Sequence, residues 1–125
     1  MKIALIGCGY WGKNVARNLA NLNVLSGIYD QVIERAENLQ KKLADSFPNR
    51  NFQIYQSFEE IMRDKDIDGV AIVTPSDSHY HLAKSILESG KDVFIEKPLV
   101  HKTEQAEELI GLANKKKLVI GTGHL

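Results

Sequence analysis

The stretch KIALIGCGYWG, residues 2–12, joins a short unbroken apolar run to a glycine-rich turn. Apolar runs of this length suit a strand buried on both faces of a parallel sheet. Gly7, Gly9 and Gly12 follow in G-x-G-x-x-G spacing, and Trp11, Val15, Leu19 and Leu22 then recur at helical spacing. A glycine triplet alone says little. Placed after a strand and at the head of a helix, it reads as a phosphate-binding turn. Gly7 would allow the tight turn, Gly9 the approach of a pyrophosphate, and Gly12 the close packing of helix on strand. Free N–H groups at the helix start would receive the phosphates. Gly7, Gly9, Tyr10, Trp11 and Gly12 are therefore candidate cofactor-binding residues. Trp11 is also expected to pack the first helix on the sheet and to wall the cleft.

Outward from this turn, strand and helix patterns alternate. Apolar runs at 24–30, 52–55, 69–74, 92–96 and 118–123 complete six predicted strands, the one at 52–55 alternating like an edge strand. Between them, Val32, Ala36, Leu39, Leu43 and Phe47 mark one helix face that ends near Pro48. Ser57 followed by Glu60 is a capping box for a short helix. Leu82, Ala83, Ile86 and Leu87 line a helix stopped by Gly90, and Ala106, Leu109, Ile110 and Ala113 line one that Thr103 can cap. The pattern predicts an α/β fold: a doubly wound, parallel, six-stranded Rossmann sheet of order 3-2-1-4-5-6. No internal repeat or linker divides it, so residues 1–125 are read as one dinucleotide-binding domain.

Asp30 closes the second strand, where a carboxylate can accept both hydroxyls of an adenosine ribose and repel a 2′-phosphate. NAD is favoured over NADP, although Arg35, one helical turn on, keeps the second cofactor open. Capping of the next helix is an alternative role for Asp30, and the two roles are compatible. TPSDSHYH, residues 74–81, follows the fourth strand, where the strand order reverses and ligands bind. Thr74 and Pro75 would shape the floor of the site, and Ser76, Asp77 or Ser78 would cap the following helix. His79 and His81 stand two apart and point to different sides of a helix, so a structural, hydrogen-bonding His79 is favoured over a metal site. Cys8 lacks a local base or second thiol and reads as a small filler between glycines. His124 falls at the end of the sixth strand.

Composition limits the partners. Lys plus Arg and Asp plus Glu each number 16 in 125 residues, so no net basic field invites nucleic acid or an anionic membrane. The run Lys115–Lys117 reads as the solvated end of a helix. One cysteine fits a reducing compartment, and no run approaches the length of a membrane span. The chain reads as soluble and cytoplasmic.

GCGYWGKN, Asp30, VTPSDSHYHLA, ESGKDVFIEKPL and GTGHL together resemble the amino-terminal half of the glucose–fructose oxidoreductase/inositol dehydrogenase (Gfo/Idh/MocA) family, in the right order along the chain. The Glu-Lys-Pro element is the most specific part. GYWGKN and GHL are similar to the subgroup acting on nucleotide-linked acetamido sugars. The resemblance implies a hydride transfer between NAD or NADP and a sugar, cyclitol or nucleotide-sugar hydroxyl. It places Lys97 between nicotinamide and substrate, bonded to the reacting hydroxyl, with Glu96 orienting or neutralising it and Pro98 fixing the turn; Thr74, Pro75, His79, Glu96 and Lys97 are further cofactor-binding candidates. A cation there would stabilise a developing alkoxide and relay its proton. A plain surface lysine at a strand end is the alternative. The resemblance also implies a following α+β substrate domain that this chain lacks. The isolated domain is then expected to bind cofactor, to turn over no sugar, and to self-associate through the surface left bare. A free-standing nucleotide-sensing module without catalysis and a methyltransferase are the competing readings. Lys97 argues against the sensor, and the Glu-Lys-Pro turn and sixth strand argue against the methyltransferase.

Overall fold

The computed structural model of the chain describes residues 1–74, 78–96 and 103–123. The elements run β1 (Ile3–Ile6), α1 (Tyr10–Asn21), β2 (Leu25–Tyr29), α2 (Ile33–Ser46), β3 (Gln53–Ile54), α3 (Phe58–Arg63), β4 (Gly69–Ile72), α4 (His79–Glu88), β5 (Asp92–Glu96), α5 (Thr103–Lys116) and β6 (Ile120–Gly123). The strands form one six-stranded sheet in the order β3-β2-β1-β4-β5-β6. Every pair in it is parallel. This is the doubly wound sheet that the alternating pattern predicts.

Two apolar layers sandwich the sheet because strand side chains alternate. Ile3 and Leu5 of β1 join Val15, Ala16 and Leu19 of α1 and Ala36, Leu39 and Leu43 of α2 on one side. Ala4 and Ile6 join Ile61 of α3, Ala83, Ile86 and Leu87 of α4, and Leu109 and Ala113 of α5 on the other. All four residues of β1 and all four of β4 are buried, as befits central parallel strands.

The punctuation is local. Ser57 Oγ accepts the Glu60 N–H at 3.2 Å, one half of the expected capping box. Gly90, at φ +87°, ends α4 in the left-handed region. The buried ammonium of Lys91 then donates to the carbonyl oxygens of Asp64 at 2.6 Å and Ile67 at 3.0 Å, tying the start of β5 to the loop before β4. Asp64 is held from its other side by the hydroxyl of buried Tyr55 at 2.7 Å.

Two helix faces are rotated from the sequence expectation. Trp11 is 62% exposed and Leu22 70% exposed, so neither packs α1 on the sheet. The buried stripe runs instead through Gly12, Val15, Ala16, Leu19 and Ala20. Gly12 sets that rotation: a Cβ on it would lie 2.0 Å from the Gly7 carbonyl oxygen, so only hydrogen fits against the turn and Trp11 swings outward. On α5, Ile110 is 45% exposed while Leu109 and Ala113 are buried, which narrows the predicted inner face. Thr103 begins α5, but its side chain, like the candidates Ser76 and Asp77, lies outside what the structure describes. Ser78 holds the N-cap position of α4 without a side-chain cap bond.

Candidate functional site

Register brings the strand ends level. Ile6 pairs with Tyr29 on one side and with Ile72 on the other. Gly7, Asp30 and Val73 therefore leave the sheet together at its carboxyl edge. Gly7 turns there at φ +106°, a conformation that suits glycine, and a Cβ on it would meet the Val73 carbonyl oxygen at 2.5 Å. Lys13 N–H donates to Gly9 O at 3.0 Å as the first turn of α1 closes. The N–H groups of Tyr10, Trp11 and Gly12 precede that bond and have no intrahelical acceptor. Gly9 caps the helix without a side chain, and a Cβ on it would meet nothing within 4 Å. The head of α1 is thus an open set of donors.

Asp30 links two turns. Its Oδ2 accepts the Cys8 N–H at 2.8 Å and its Oδ1 accepts the Val32 N–H at 2.8 Å. The second bond is a local turn; Val32, not Asp30, is the N-cap of α2. Each oxygen keeps a further lone pair for a ligand hydroxyl. Cys8 itself is buried, its Sγ directed at the Tyr29 carbonyl oxygen 3.6 Å away. Burial, and then the charge of Asp30, push its thiol up to about 12. Such a thiol is no nucleophile at neutral pH, in keeping with a filler role.

These turns form one wall of a cleft of about 560 Å³. Gly7, Gly9, Asp30, Gln31 and Arg35 line it on the β1–β2 side, and Phe58, Val73, Thr74, Ser78, His81 and Leu82 line it on the β4–α4 side. Thr74 is pinned twice: its hydroxyl bonds to the Ser78 hydroxyl at 2.7 Å, and its carbonyl lies 2.8 Å from His79 Nε2. A carbonyl only accepts, so His79 carries its proton on Nε2. His79 is buried behind the wall, whereas His81 faces the cleft. A second hollow of about 530 Å³ lies by Gln40, Arg50 and Gln53. Its Arg50 is already engaged with Ala20 O at 2.7 Å and with the rings of Phe47 and Phe52.

The candidates separate by position. Gly7, Gly9, Asp30 and Thr74 meet at the cleft. Gly12 and His79 stand behind it, buried. Tyr10 and Trp11 stand outside it, 76% and 62% exposed, as an edge-to-face pair with ring centroids 5.5 Å apart. Glu96, half-buried, ends β5 opposite Gly123. Lys97, Pro75 and His124 lie outside the described residues. Leu82 belongs to the cleft although periodicity reads it as a helix-core position, Phe58 lines it without having been singled out, and Tyr29 was read only as part of a strand. Among the described residues no cluster of His, Cys, Asp and Glu could hold a metal, and no helix is long and apolar enough to cross a membrane.

The family model of the Gfo/Idh/MocA oxidoreductases, an oxidoreductase family with an NAD-binding Rossmann fold, matches residues 1–124. The chain belongs to this family. Among Gfo/Idh/MocA relatives, the UDP-N-acetylglucosamine 3-dehydrogenase of Acidithiobacillus ferrooxidans is 31% identical over 125 residues, which are all of this chain and 37% of that protein. A solved structure of that dehydrogenase superposes with a TM-score of 0.83 at 32% identity, covering 99% of this chain and 37% of the other. GenD2 from gentamicin A biosynthesis, solved in complex with NAD, gives 0.85 at 25% identity over 98% of this chain and 34% of its own. A biliverdin reductase of Synechocystis, solved with biliverdin and NADP+, gives 0.79 at 25% identity over 97% of this chain and 37% of its own. The chain therefore spans about a third of the length of these relatives.

Proposed function

We propose that this chain is the cofactor-holding domain of an NAD(H)-dependent dehydrogenase acting on a sugar-type hydroxyl, with a nucleotide-linked acetamido sugar as the substrate class. The observation that carries the reading is the carboxylate of Asp30 in one cleft with Gly7 and Gly9 of the glycine turn that opens α1. A dinucleotide fits these groups by chemistry. Its pyrophosphate matches the free N–H groups of the α1 head, where nothing crowds Gly9. Its adenosine ribose matches the spare lone pairs of Asp30, and the charge of that group disfavours a 2′-phosphate. Thr74, fixed by Ser78 and His79, forms the floor between the two halves.

The nicotinamide, when bound, supplies the acceptor or donor of a hydride. The chain's own residues handle the proton and the geometry. In this reading Lys97, which directly follows Glu96 at the end of β5, holds or takes the hydroxyl proton as an alkoxide develops, and Glu96 orients it. The sugar-holding groups lie beyond these residues. The chain's share of its relatives' length supports that division, and the UDP-N-acetylglucosamine 3-dehydrogenase supports the substrate class. Without them nothing aligns a sugar with the ring, and orientation accounts for roughly 7–11 kcal/mol of such a barrier. The 125-residue chain is thus expected to bind cofactor and not to turn over. An unpaired buried cysteine fits a cytoplasmic setting.

Titration with NADH, followed by fluorescence or calorimetry, tests the reading. Saturable one-to-one binding, weakened by Asp30→Ala, is the expected result. No saturable binding, or binding indifferent to Asp30, overturns it.

A further inference from the structure

We propose that the exposed pair Tyr10 and Trp11 is the seat on which the sugar-holding part of the same protein docks, closing over the cleft as it does so. The inference rests on the division of labour proposed above and deepens it by naming the contact. Tyr10 and Trp11 begin α1 beside the glycine turn, yet their rings stand clear of the cleft, 76% and 62% exposed. Tryptophan is on average a highly buried residue, and large apolar groups gathered at one exposed place mark an interaction surface. The exposure is built in. The Gly12–Gly7 contact sets the rotation of α1 that turns Trp11 outward, and the two rings brace each other edge to face at 5.5 Å.

The head of α2 adds to this surface, with Val32 44% and Ile33 36% exposed. Asp30 accepts the N–H of Cys8 with one carboxylate oxygen and that of Val32 with the other, both at 2.8 Å, so the two helix heads are held in a fixed relation. The crest is therefore formed before any partner arrives, which lowers the ordering cost of docking. Position selects the occupant. Every strand pair is parallel, so β6 leads the chain to the carboxyl edge, where Gly123 stands opposite Glu96. In the sheet β6 lies beyond β4 and β5, across the cleft from the heads of α1 and α2. A continuation of the chain that starts at β6 and rests on Trp11 spans the mouth of the cleft, where a sugar has to meet the cofactor. A protein of its relatives' length, of which this chain covers 37% and 34%, has the chain for such a cover.

The test compares the 125-residue chain with a longer form that turns over a sugar substrate. Hydroxyl-radical footprinting of both parents reads the rings directly. Tyr10 and Trp11 should oxidise fast in the short chain and several-fold more slowly in the longer form. Trp11→Ser in the short chain should leave the melting temperature unchanged and, because serine keeps the backbone N–H, NADH affinity within about 2-fold, as for other surface changes. In the longer form it should lower kcat/KM for the sugar by roughly 10-fold or more, the loss expected of an interface tryptophan. NADH affinity should again hold, and Trp11→Phe should recover most of the loss. Equal oxidation in the two forms, or a parental kcat/KM in the longer Trp11→Ser protein, overturns the proposal. So does conversion of an oligomeric longer form to monomers by Trp11→Ser, which assigns the seat to a second copy. So does a fall in the melting temperature of the short chain as large as that of the longer form, which makes Trp11 a support of its own domain. In each case NADH binding by the short chain leaves the cofactor reading standing. Failure of the parent to bind NADH overturns that reading, and this inference with it.

Discussion

Asp30 reaches across from the end of β2 to hold the backbone N–H of Cys8 at 2.8 Å, in the middle of the glycine turn that follows β1. A carboxylate at this position is usually considered for what it offers a ribose. Here it also fixes the shape of the neighbouring turn. Removing it leaves a donor on buried Cys8 without an acceptor, at a cost of about 1–3 kcal/mol. Asp30→Ala should therefore lower stability by that amount in urea denaturation, besides weakening NADH, and Asp30→Asn should fall between. An Asp30→Ala protein as stable as the parent would show that the turn holds its shape unaided.

Cys8 should be chemically silent while the domain is folded. Its thiol is buried and pushed up to about 12 by that burial and by Asp30. At pH 8 a thiol reagent is expected to label it slowly in native protein and at one equivalent per chain in urea. Rapid labelling of the native state at the rate of a small free thiol would contradict the placement.

Gly9 and Gly12 should separate binding from folding. A methyl at Gly12 would collide with the Gly7 carbonyl oxygen, whereas a methyl at Gly9 would touch no protein atom within 4 Å. Gly12→Ala should destabilise by at least about 1–3 kcal/mol, the range for overpacking. Gly9→Ala should stay within about 0.5 kcal/mol of the parent, as surface changes do. If the pyrophosphate approaches at Gly9, the same variant should lose NADH affinity. Thermal melts and NADH titrations of both variants give the comparison, and a Gly9→Ala protein with parental affinity would move the phosphates elsewhere.

The Tyr55–Asp64 bond should shape stability at both ends of the pH scale. The Tyr55 hydroxyl, and then the Asp66 N–H, hold the Asp64 carboxyl below its ordinary value of 3.8. A depressed folded value means that this contribution is complete above the unfolded pKa and is lost as pH falls through the folded one. Burial, and then Asp64, raise the Tyr55 phenol above its ordinary 10.0. That contribution is complete below the unfolded value and fades as pH rises past it toward the folded one. Tyr55→Phe should flatten both limbs of a melting temperature–pH curve. Limbs as steep as those of the parent would remove the pair from the account.

Lys97→Ala, made in a form of the protein that turns over a sugar substrate, should cut kcat by about 10²–10⁴-fold, the usual contribution of an acid–base group. NADH affinity should change far less. A kcat near the parental value would leave Lys97 as a surface lysine.

Much of this was legible in the sequence, for physical reasons. Parallel strands buried on both faces need unbroken apolar runs, and the runs at β1 and β4 declare themselves. The glycine spacing announced the turn because Gly7 and Gly12 answer to backbone geometry, which the sequence carries directly. What periodicity misread was rotation. Trp11 and Ile110 look like core residues until the Gly12–Gly7 contact and the Leu109–Ala113 stripe set the helix faces. Phe58 and Leu82 were illegible as cleft residues because a pocket wall and a core present the same apolar pattern. The burial of Lys91 was equally hidden, since its carbonyl partners at Asp64 and Ile67 are brought to it only by the sheet.

The two apolar layers on either side of the sheet imply an order of opening. β1 and β4 are covered on both faces and hydrogen-bonded on both edges, whereas β3 pairs through two residues at one margin. Amides of β1 and β4 should exchange with solvent only on global unfolding, and those of β3 through small local excursions. The margin that exchanges first adjoins α2 and Asp30, the side of the cleft proposed for the adenosine, while the glycine turn grows from the slowest strand. Ligand capture should then appear in exchange data as selective slowing along β2, β3 and α2, with the amides of β1 already at their ceiling.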